Sequence, residues 1–282
     1  MVRFKNFLSK NLENDVPSSL LPLLPRGYKR VGHIGIINLK SSLLPYATVI
    51  CEKALTLASN VRSFAIASHV EGQFRNPSIQ ILAGDNSQIT VHKENNCLFK
   101  LDATQIMFSS GNHFERKRMM QLTKPGEKIL DMFCCVGNLS MPIARSRPDV
   151  RITGIELNPV AYKYLLETMK LNKVENRFEA IFGDNRKVDI PKGFFDRIIM
   201  GYFTVDDIQL KRALEALKPE GGVIHIHDVP QWGEKEMKER IITILSEMER
   251  KKLFFINKFL TKRIKWIAEN TPHVVHDVEI SN

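Results

Sequence analysis

Three polar positions follow three successive apolar runs in the second half of the chain, and their types suit nucleoside chemistry. The first run, Lys128-Ile129-Leu130-Asp131-Met132-Phe133, opens into Cys134-Cys135-Val136-Gly137-Asn138. The glycine in that turn lets a ligand approach the backbone. The second run, Arg151-Ile152-Thr153-Gly154-Ile155-Glu156, ends in a carboxylate that can accept hydrogen bonds from ribose hydroxyls. The third, Arg177 to Phe182, precedes Asp184-Asn185, a pair able to read the exocyclic amine and ring nitrogen of an adenine. Acidic residues after strands often only cap helices, so each position alone says little. Three at consecutive strand ends point together to a bound nucleoside. The first turn is not G-x-G-x-x-G, which disfavours a dinucleotide pyrophosphate.

Other residues have chemistry in reach but a plainer use. Cys134 is placed like a nucleophile, yet a small apolar filler is the preferred reading. His225 and His227 alternate along one apolar run and so face the same side. They suit a metal pair, but no third ligand is evident, and strand packing is preferred. Arg116-Lys117-Arg118 reads as a solvated helix face. Lys258, Lys262, Arg263 and Lys265, with Phe259 and Trp266 interleaved, fit either a track for RNA phosphates and a stacked base or a charged strand edge.

The elements that must carry these residues fall into two textures. Residues 1–26 read as a helical arm closed by Pro17, Pro22 and Pro25. Residues 27–105 read as a small α+β domain. Its strands are Val31–Ile37, Ile79–Gly84, Gln88–His92 and Leu98–Asp102, with a helix from Tyr46 to Ala58 and a turn at Glu94-Asn95-Asn96. In residues 106–282, apolar runs alternate with helical stretches, the signature of a mostly parallel sheet with helices on both faces. A helix starts at Asn158-Pro159, Asn as cap and Pro at the first helical position. Further strands are expected at 196–200, 222–227, 254–260 and 273–280, and a long helix at 234–250. In such sheets, ligands sit beyond the carboxyl ends of the strands.

Composition narrows the partner. The chain has 282 residues, 43% hydrophobic and 26% charged, ordinary globular values. No run approaches the ~20 apolar residues of a membrane helix. The net charge of +10 is compatible with a polyanion partner as well as with a plain basic surface. Four cysteines, one pair adjacent and none with C-x-x-C spacing, suggest neither a disulfide framework nor a zinc site, and so a reducing compartment.

The chain resembles the class I S-adenosylmethionine-dependent transferases, and more closely the tRNA position-37 group. That group contains guanine-37 N1-methyltransferases and wybutosine-pathway aminocarboxypropyltransferases. The resemblance runs from about Tyr28 to Val229. It rests on Gly72-Gln73-Phe74-Arg75, Phe108-Ser109-Ser110-Gly111-Asn112, Glu115-Arg116, Asp131 to Gly137, Glu156-Leu157-Asn158-Pro159, Leu171 to Glu175 and Asp184-Asn185-Arg186. The methyltransferases resemble one another in an Asn-Leu-Pro or Asn-Pro-Pro motif after the fourth strand. This chain has Asp196 to Tyr202 there, and with Ile224-His225-Ile226-His227 it looks like the aminocarboxypropyltransferase form. A departure is Cys134-Cys135, where relatives usually have Ala-Gly.

The resemblance implies an α/β, Rossmann-like class I methyltransferase fold with a seven-stranded, mostly parallel sheet and a smaller N-terminal α+β domain. It implies S-adenosylmethionine as co-substrate. Ser109 and Arg116 would contact it, Glu156 its ribose, and Asp184 and Asn185 its adenine. Arg116 would hold the carboxylate of the transferred chain or orient the co-substrate. No catalytic residue and no metal are implied. The acceptor would be 4-demethylwyosine at position 37 of tRNA(Phe), modified by a cytoplasmic monomer. N1 methylation of guanine-37 and a catalytically silent tRNA-binding protein are the alternatives.

Overall fold

The computed structural model describes residues 4–72, 76–203, 205–229, 234–247, 255–268 and 270–281. Three of the positions carrying the resemblance, Gln73 to Arg75, lie outside them, as do the expected helix end at 248–250 and the expected strand start at Phe254. The chain divides into two compact units: residues 1–94 with 98–110, and residues 95–97 with 111–282.

The first unit comprises α1 (Phe4–Asn11), β1 (Lys29–Val31), β2 (Ile34–Ile37), α2 (Ala47–Leu57), β3 (Ser63–Glu71), β4 (Asn76–Gly84), β5 (Ile89–Glu94) and β6 (Cys97–Asp102). Four strands form one sheet in the order β1-β2-β3-β4, and β5 pairs with β6. The stretch 31–37, expected as one strand, is broken at Gly32, whose φ of +57° turns β1 back on β2. Only glycine fits there, because a Cβ would stand 1.8 Å from Thr90 Oγ1. Asn95 and Asn96, both at positive φ, make the expected turn between β5 and β6. Leu8 and Leu12 are fully buried with Ile37, Leu43, Ile50 and Phe64. Residues 4–26 therefore complete this core and do not form a separate arm.

The second unit comprises α3 (His113–Leu122), β7 (Lys128–Asp131), α4 (Ser140–Ser146), β8 (Arg151–Glu156), α5 (Pro159–Asn172), β9 (Phe178–Phe182), β10 (Arg197–Met200), α6 (Asp207–Ala216), β11 (Gly221–Asp228), α7 (Glu234–Glu247), β12 (Phe255–Ala268) and β13 (Thr271–Ser281). Seven strands form one sheet, ordered β12-β13-β11-β10-β7-β8-β9. The five from β11 to β9 are parallel; β13 runs antiparallel to β11, and β12 antiparallel to β13. Every residue of the central strand β10 is buried, as a strand covered on both faces requires.

Local sequence sets the helix ends. Asn158 Oδ1 accepts from the Val160 and Ala161 amides, Pro159 takes the first helical position, and α5 stops at left-handed Lys173. Asp206 and Gln209 form a reciprocal capping box at the start of α6. Leu210 and Leu214 of α6 and Met237 and Ile241 of α7 pack with Ile198, Ile224, Ile226 and Val278 of the sheet in one apolar core. Among the described residues, no helix is long and apolar enough to cross a membrane.

Candidate active site at the carboxyl edge of the sheet

The parallel strands deliver Asp131, Glu156, Asp184 and Asn185 to one edge. The segment after β7 is wedged between its neighbours: the Met132 amide donates to the Ile199 carbonyl (3.0 Å) and the Cys134 amide to that of Ile155 (2.9 Å). The chain then turns through Cys135 (φ +52°) and Gly137 (φ +85°) and enters α4. Cys135 holds a left-handed conformation that L side chains resist.

That turn aims backbone donors at Glu156. The Cys135 amide donates to Oε2 at 2.6 Å and the Asn158 amide to Oε1 at 2.7 Å. Each oxygen keeps a lone pair to accept a hydroxyl. Burial lifts the Glu156 carboxyl to about 6, against the pull of those two amides. Burial likewise lifts Asp131 to about 6. Phe133, after β7, and Tyr202, after β10, stack at 5.2 Å and 14° beside this edge. An acceptor-only carboxylate braced by main-chain donors and backed by a turn of small residues fits a ribose, so the residues present suit a nucleoside co-substrate.

Asp184 and Asn185 reach the same edge but are used within the fold. The Asn185 amide nitrogen donates to the Met132 carbonyl (2.7 Å), and its oxygen accepts from Gln209 Nε2 (3.0 Å). Asn185 thus braces the turn after β7 against α6. Both oxygens of Asp184 are gripped by the Arg186 guanidinium, with Nη2 at 2.8 Å, and this holds its carboxyl below the usual range. Ser109 is half-buried and belongs to the first unit. Arg116, on α3, is only 1% exposed.

The Arg116-Lys117-Arg118 stretch is therefore no solvated face; Lys117 alone is exposed. Arg118 grips Glu115 with Nε and Nη2, both at 2.7 Å, and Asp277 with Nη1 at 2.5 Å. Asp277 in turn binds His225 Nδ1 at 2.5 Å, and Arg197 Nη1 lies 2.5 Å from His225 Nε2. Arginine can only donate, so Nε2 accepts and Nδ1 carries the proton: His225 is neutral. Burial lowers its pKa; burial also lowers that of His227, to about 3. His227 Nδ1 meets His273 Nε2 at 2.8 Å. The two strand histidines thus join a buried polar network. Among the described residues, no group of three or more His, Cys, Asp or Glu is arranged to hold a metal ion. Sequence reasoning misses this network, although the i, i+3 spacing of Glu115 and Arg118 was a readable sign of it.

Cys134 is fully buried. A Cβ built on Gly154 of β8 would stand 2.7 Å from its Sγ, so the thiol fills the space a side chain at 154 would take. Burial pushes its pKa far above the ordinary thiol value, which leaves no thiolate to attack.

Comparison with known proteins settles the family. The pattern of the TRM5/TYW2 methyltransferase domain matches residues 90–256, and that of the TYW2 N-terminal domain residues 8–87. The chain belongs to the TRM5/TYW2 family. It is 35% identical over 280 residues to tRNA(Phe) (4-demethylwyosine(37)-C(7)) aminocarboxypropyltransferase of Pyrococcus horikoshii, covering 99% of this chain and 96% of that relative. The crystal structure of P. horikoshii TYW2 in complex with MeSAdo superposes with a TM-score of 0.82 at 32% identity, over 98% of this chain and 99% of that one. That of Methanocaldococcus jannaschii TYW2 in complex with AdoMet gives 0.69 at 30% identity, over 90% and 99%. The family's fold is the one described above: a mostly parallel seven-stranded sheet with a smaller N-terminal unit.

Proposed function

We propose that this chain transfers the 3-amino-3-carboxypropyl group of S-adenosylmethionine to C7 of 4-demethylwyosine at position 37 of tRNA(Phe), with release of methylthioadenosine. The observation that carries this reading is the match to an aminocarboxypropyltransferase over 96% of that relative's length, including the TYW2 N-terminal domain.

S-adenosylmethionine supplies a sulfonium with three activated carbons, and the one held in line with the nucleophile reacts. The protein's work is to bind and orient. Glu156, ionised and steadied by two amides, accepts the ribose hydroxyls. The Asp184-Asn185 segment lines the adenine, its side chains spent on holding that wall in place. Arg116 adds a contact toward the carboxylate of the transferred arm or for the orientation of the whole molecule. The stacked Phe133 and Tyr202 offer a flat apolar surface to the fused rings of the acceptor. C7 attacks the γ-carbon, the carbon–sulfur bond breaks with its electron pair going to sulfur, and the C7 proton passes to solvent. No covalent enzyme intermediate is needed, in keeping with a turn whose thiol is un-ionised. A monomer acting on tRNA in the cytoplasm accompanies this reading, and four free cysteines are compatible with it.

Separate labelling of the methyl and carboxyl groups of S-adenosylmethionine tests the reading. Carboxyl label should enter tRNA while methyl label leaves with methylthioadenosine. Methyl label in the tRNA would overturn the proposal in favour of guanine-37 methylation.

A further inference from the structure

The last two strands reach beyond the sheet they belong to. Pairing of β13 with β11 ends at Val274 opposite Asp228, the carboxyl end of β11, while β12 and β13 stay paired to Trp266 opposite Pro272 and Ala268 opposite Thr271. Three residues of β13 thus carry the hairpin about 10 Å past the edge where Glu156 and Asp131 sit. Register shifts between Arg263 and Lys265 and between Trp266 and Ala268 mark bulges in this overhang, a device that re-aims side chains.

The overhang and the stretch of β12 leading into it are dressed for a polyanion with flat rings. Trp266 is 54% exposed, and the Arg263 guanidinium lies 4.7 Å from its ring centroid. Lys262 is exposed on the same strand. β12 is the edge strand of the sheet, with Leu260 and Ile267 also open to solvent. Exposed apolar residues on an edge strand invite aggregation unless a partner uses them. Cations beside a half-bare indole are what a single-stranded nucleic acid uses: phosphates take the cations and a base takes the ring. The chain's net charge of +10 agrees in sign.

We propose that the tip of the β12–β13 hairpin is an RNA-docking element. Trp266 stacks on a base of the anticodon loop, and Lys262 and Arg263 take neighbouring phosphates, holding the loop at the carboxyl edge. This rests on tRNA being the substrate. Across five strand spacings, Trp266 stands about 24 Å along the sheet from the strand that bears Glu156. The hairpin therefore holds RNA flanking the reacting base and leaves the base itself to the site.

Full-length wild type, Trp266→Ala, Trp266→Phe and a Lys262→Glu/Arg263→Glu double variant are titrated with a fluorescent anticodon stem-loop RNA at several salt concentrations. S-adenosylmethionine binding and thermal melting serve as controls. Trp266→Ala should weaken RNA binding roughly tenfold or more, and Trp266→Phe should restore most of it. The double variant should bind RNA more weakly with a shallower salt dependence. S-adenosylmethionine affinity should not move. Unchanged RNA affinity and salt slope in folded variants would overturn the proposal. So would a Trp266→Ala variant that binds RNA normally but dissociates a dimer on size exclusion, since the edge would then serve self-association. Wild type that transfers the group alongside variants that bind normally sinks the hairpin alone. Variants that lose RNA while wild type transfers nothing sink the enzymatic reading alone.

Discussion

Arg118 and Asp277 are 159 residues apart in sequence, yet two guanidinium nitrogens of one meet the two carboxylate oxygens of the other, at 2.5 and 3.1 Å. Arg118 also grips Glu115, so one side chain ties α3 to β13. Bidentate geometry of this kind fixes orientation as well as charge.

Replacing Arg118 with Met should cost about 3 kcal/mol of stability, because Glu115 and Asp277 would be left as buried anions without their partner. Arg118→Lys should recover only part, since an ammonium cannot bridge both carboxylates through a planar fork. Chemical denaturation of the three proteins checks this. Asp277 is held well below the ordinary carboxylate range by its partners His225 and Arg118, although burial opposes them. A depressed folded pKa gives stability that is present above the unfolded value near 3.8 and lost as pH falls below it. Wild type should lose stability below about pH 4, and Arg118→Met should lose less there.

Cys135 stands at φ +52° in the turn that supports Glu156. Left-handed backbone costs an L residue about 1–2 kcal/mol, and glycine gives back part of that gain through a freer unfolded chain. Cys135→Gly should therefore stabilise the protein by roughly 0.5–1 kcal/mol, while Cys135→Val, β-branched, should destabilise it. Urea midpoints of the three proteins decide. A less stable glycine variant would mean that the cysteine side chain is part of the packing.

In its proposed role at the ribose, Glu156 should make co-substrate binding pH-dependent. Burial raises its carboxyl to about 6, and hydroxyl donors favour the ionised form, so binding should expel a proton near pH 6. Affinity for S-adenosylmethionine should be flat above pH 7 and about tenfold weaker at pH 5. Stability of the unliganded protein goes the other way. A carboxyl raised from 4.5 in the unfolded chain to about 6 stabilises below the first value and loses that contribution as pH rises through the second. Calorimetry in buffers of different ionisation heat measures the proton. Glu156→Gln should bind more weakly and flatten the profile. A slope steeper than one proton would bring in Asp131, whose carboxyl also sits at about 6.

The thiols should be inert. Cys51, Cys97 and Cys134 are buried, and burial drives Cys51 up to about 12 and both turn cysteines above the ordinary range. A thiol reagent should label none of the four cysteines in the native protein within minutes and all of them in denaturant. Fast labelling of Cys134 would reopen its reading as a nucleophile.

Much of the parallel sheet is legible because its strands are short apolar runs ending in polar residues: β8 spans the expected Arg151 to Glu156, and α5 starts at the expected Asn158-Pro159. Other features need the third dimension. The turn at Gly32 hides inside an apolar run, and what forbids a side chain there is Thr90, 58 residues away in sequence. Helix α6 escapes a search for apolar runs because Leu210, Ala213 and Leu214 are interleaved with polar residues, although its capping box at Asp206 and Gln209 is readable. Asn185 could be selected as a site residue from its place after a strand, but its bracing of Met132 against Gln209 is visible only once two loops and the start of α6 have met. Sequence position locates the edge where chemistry happens; it does not say which polar groups there are already committed to one another.

The strand bearing Asp277 enters the sheet between β11 and β12, and so sets an order on birth at the ribosome. Arg118 emerges first and waits for 159 further residues, about 8–32 s at ordinary elongation rates. Until residue 277 is free, the nascent chain holds its five parallel strands with an open flank, and Arg118 has only Glu115 of its two carboxylate partners. A chaperone that shields an uncovered strand edge would find its client in that interval.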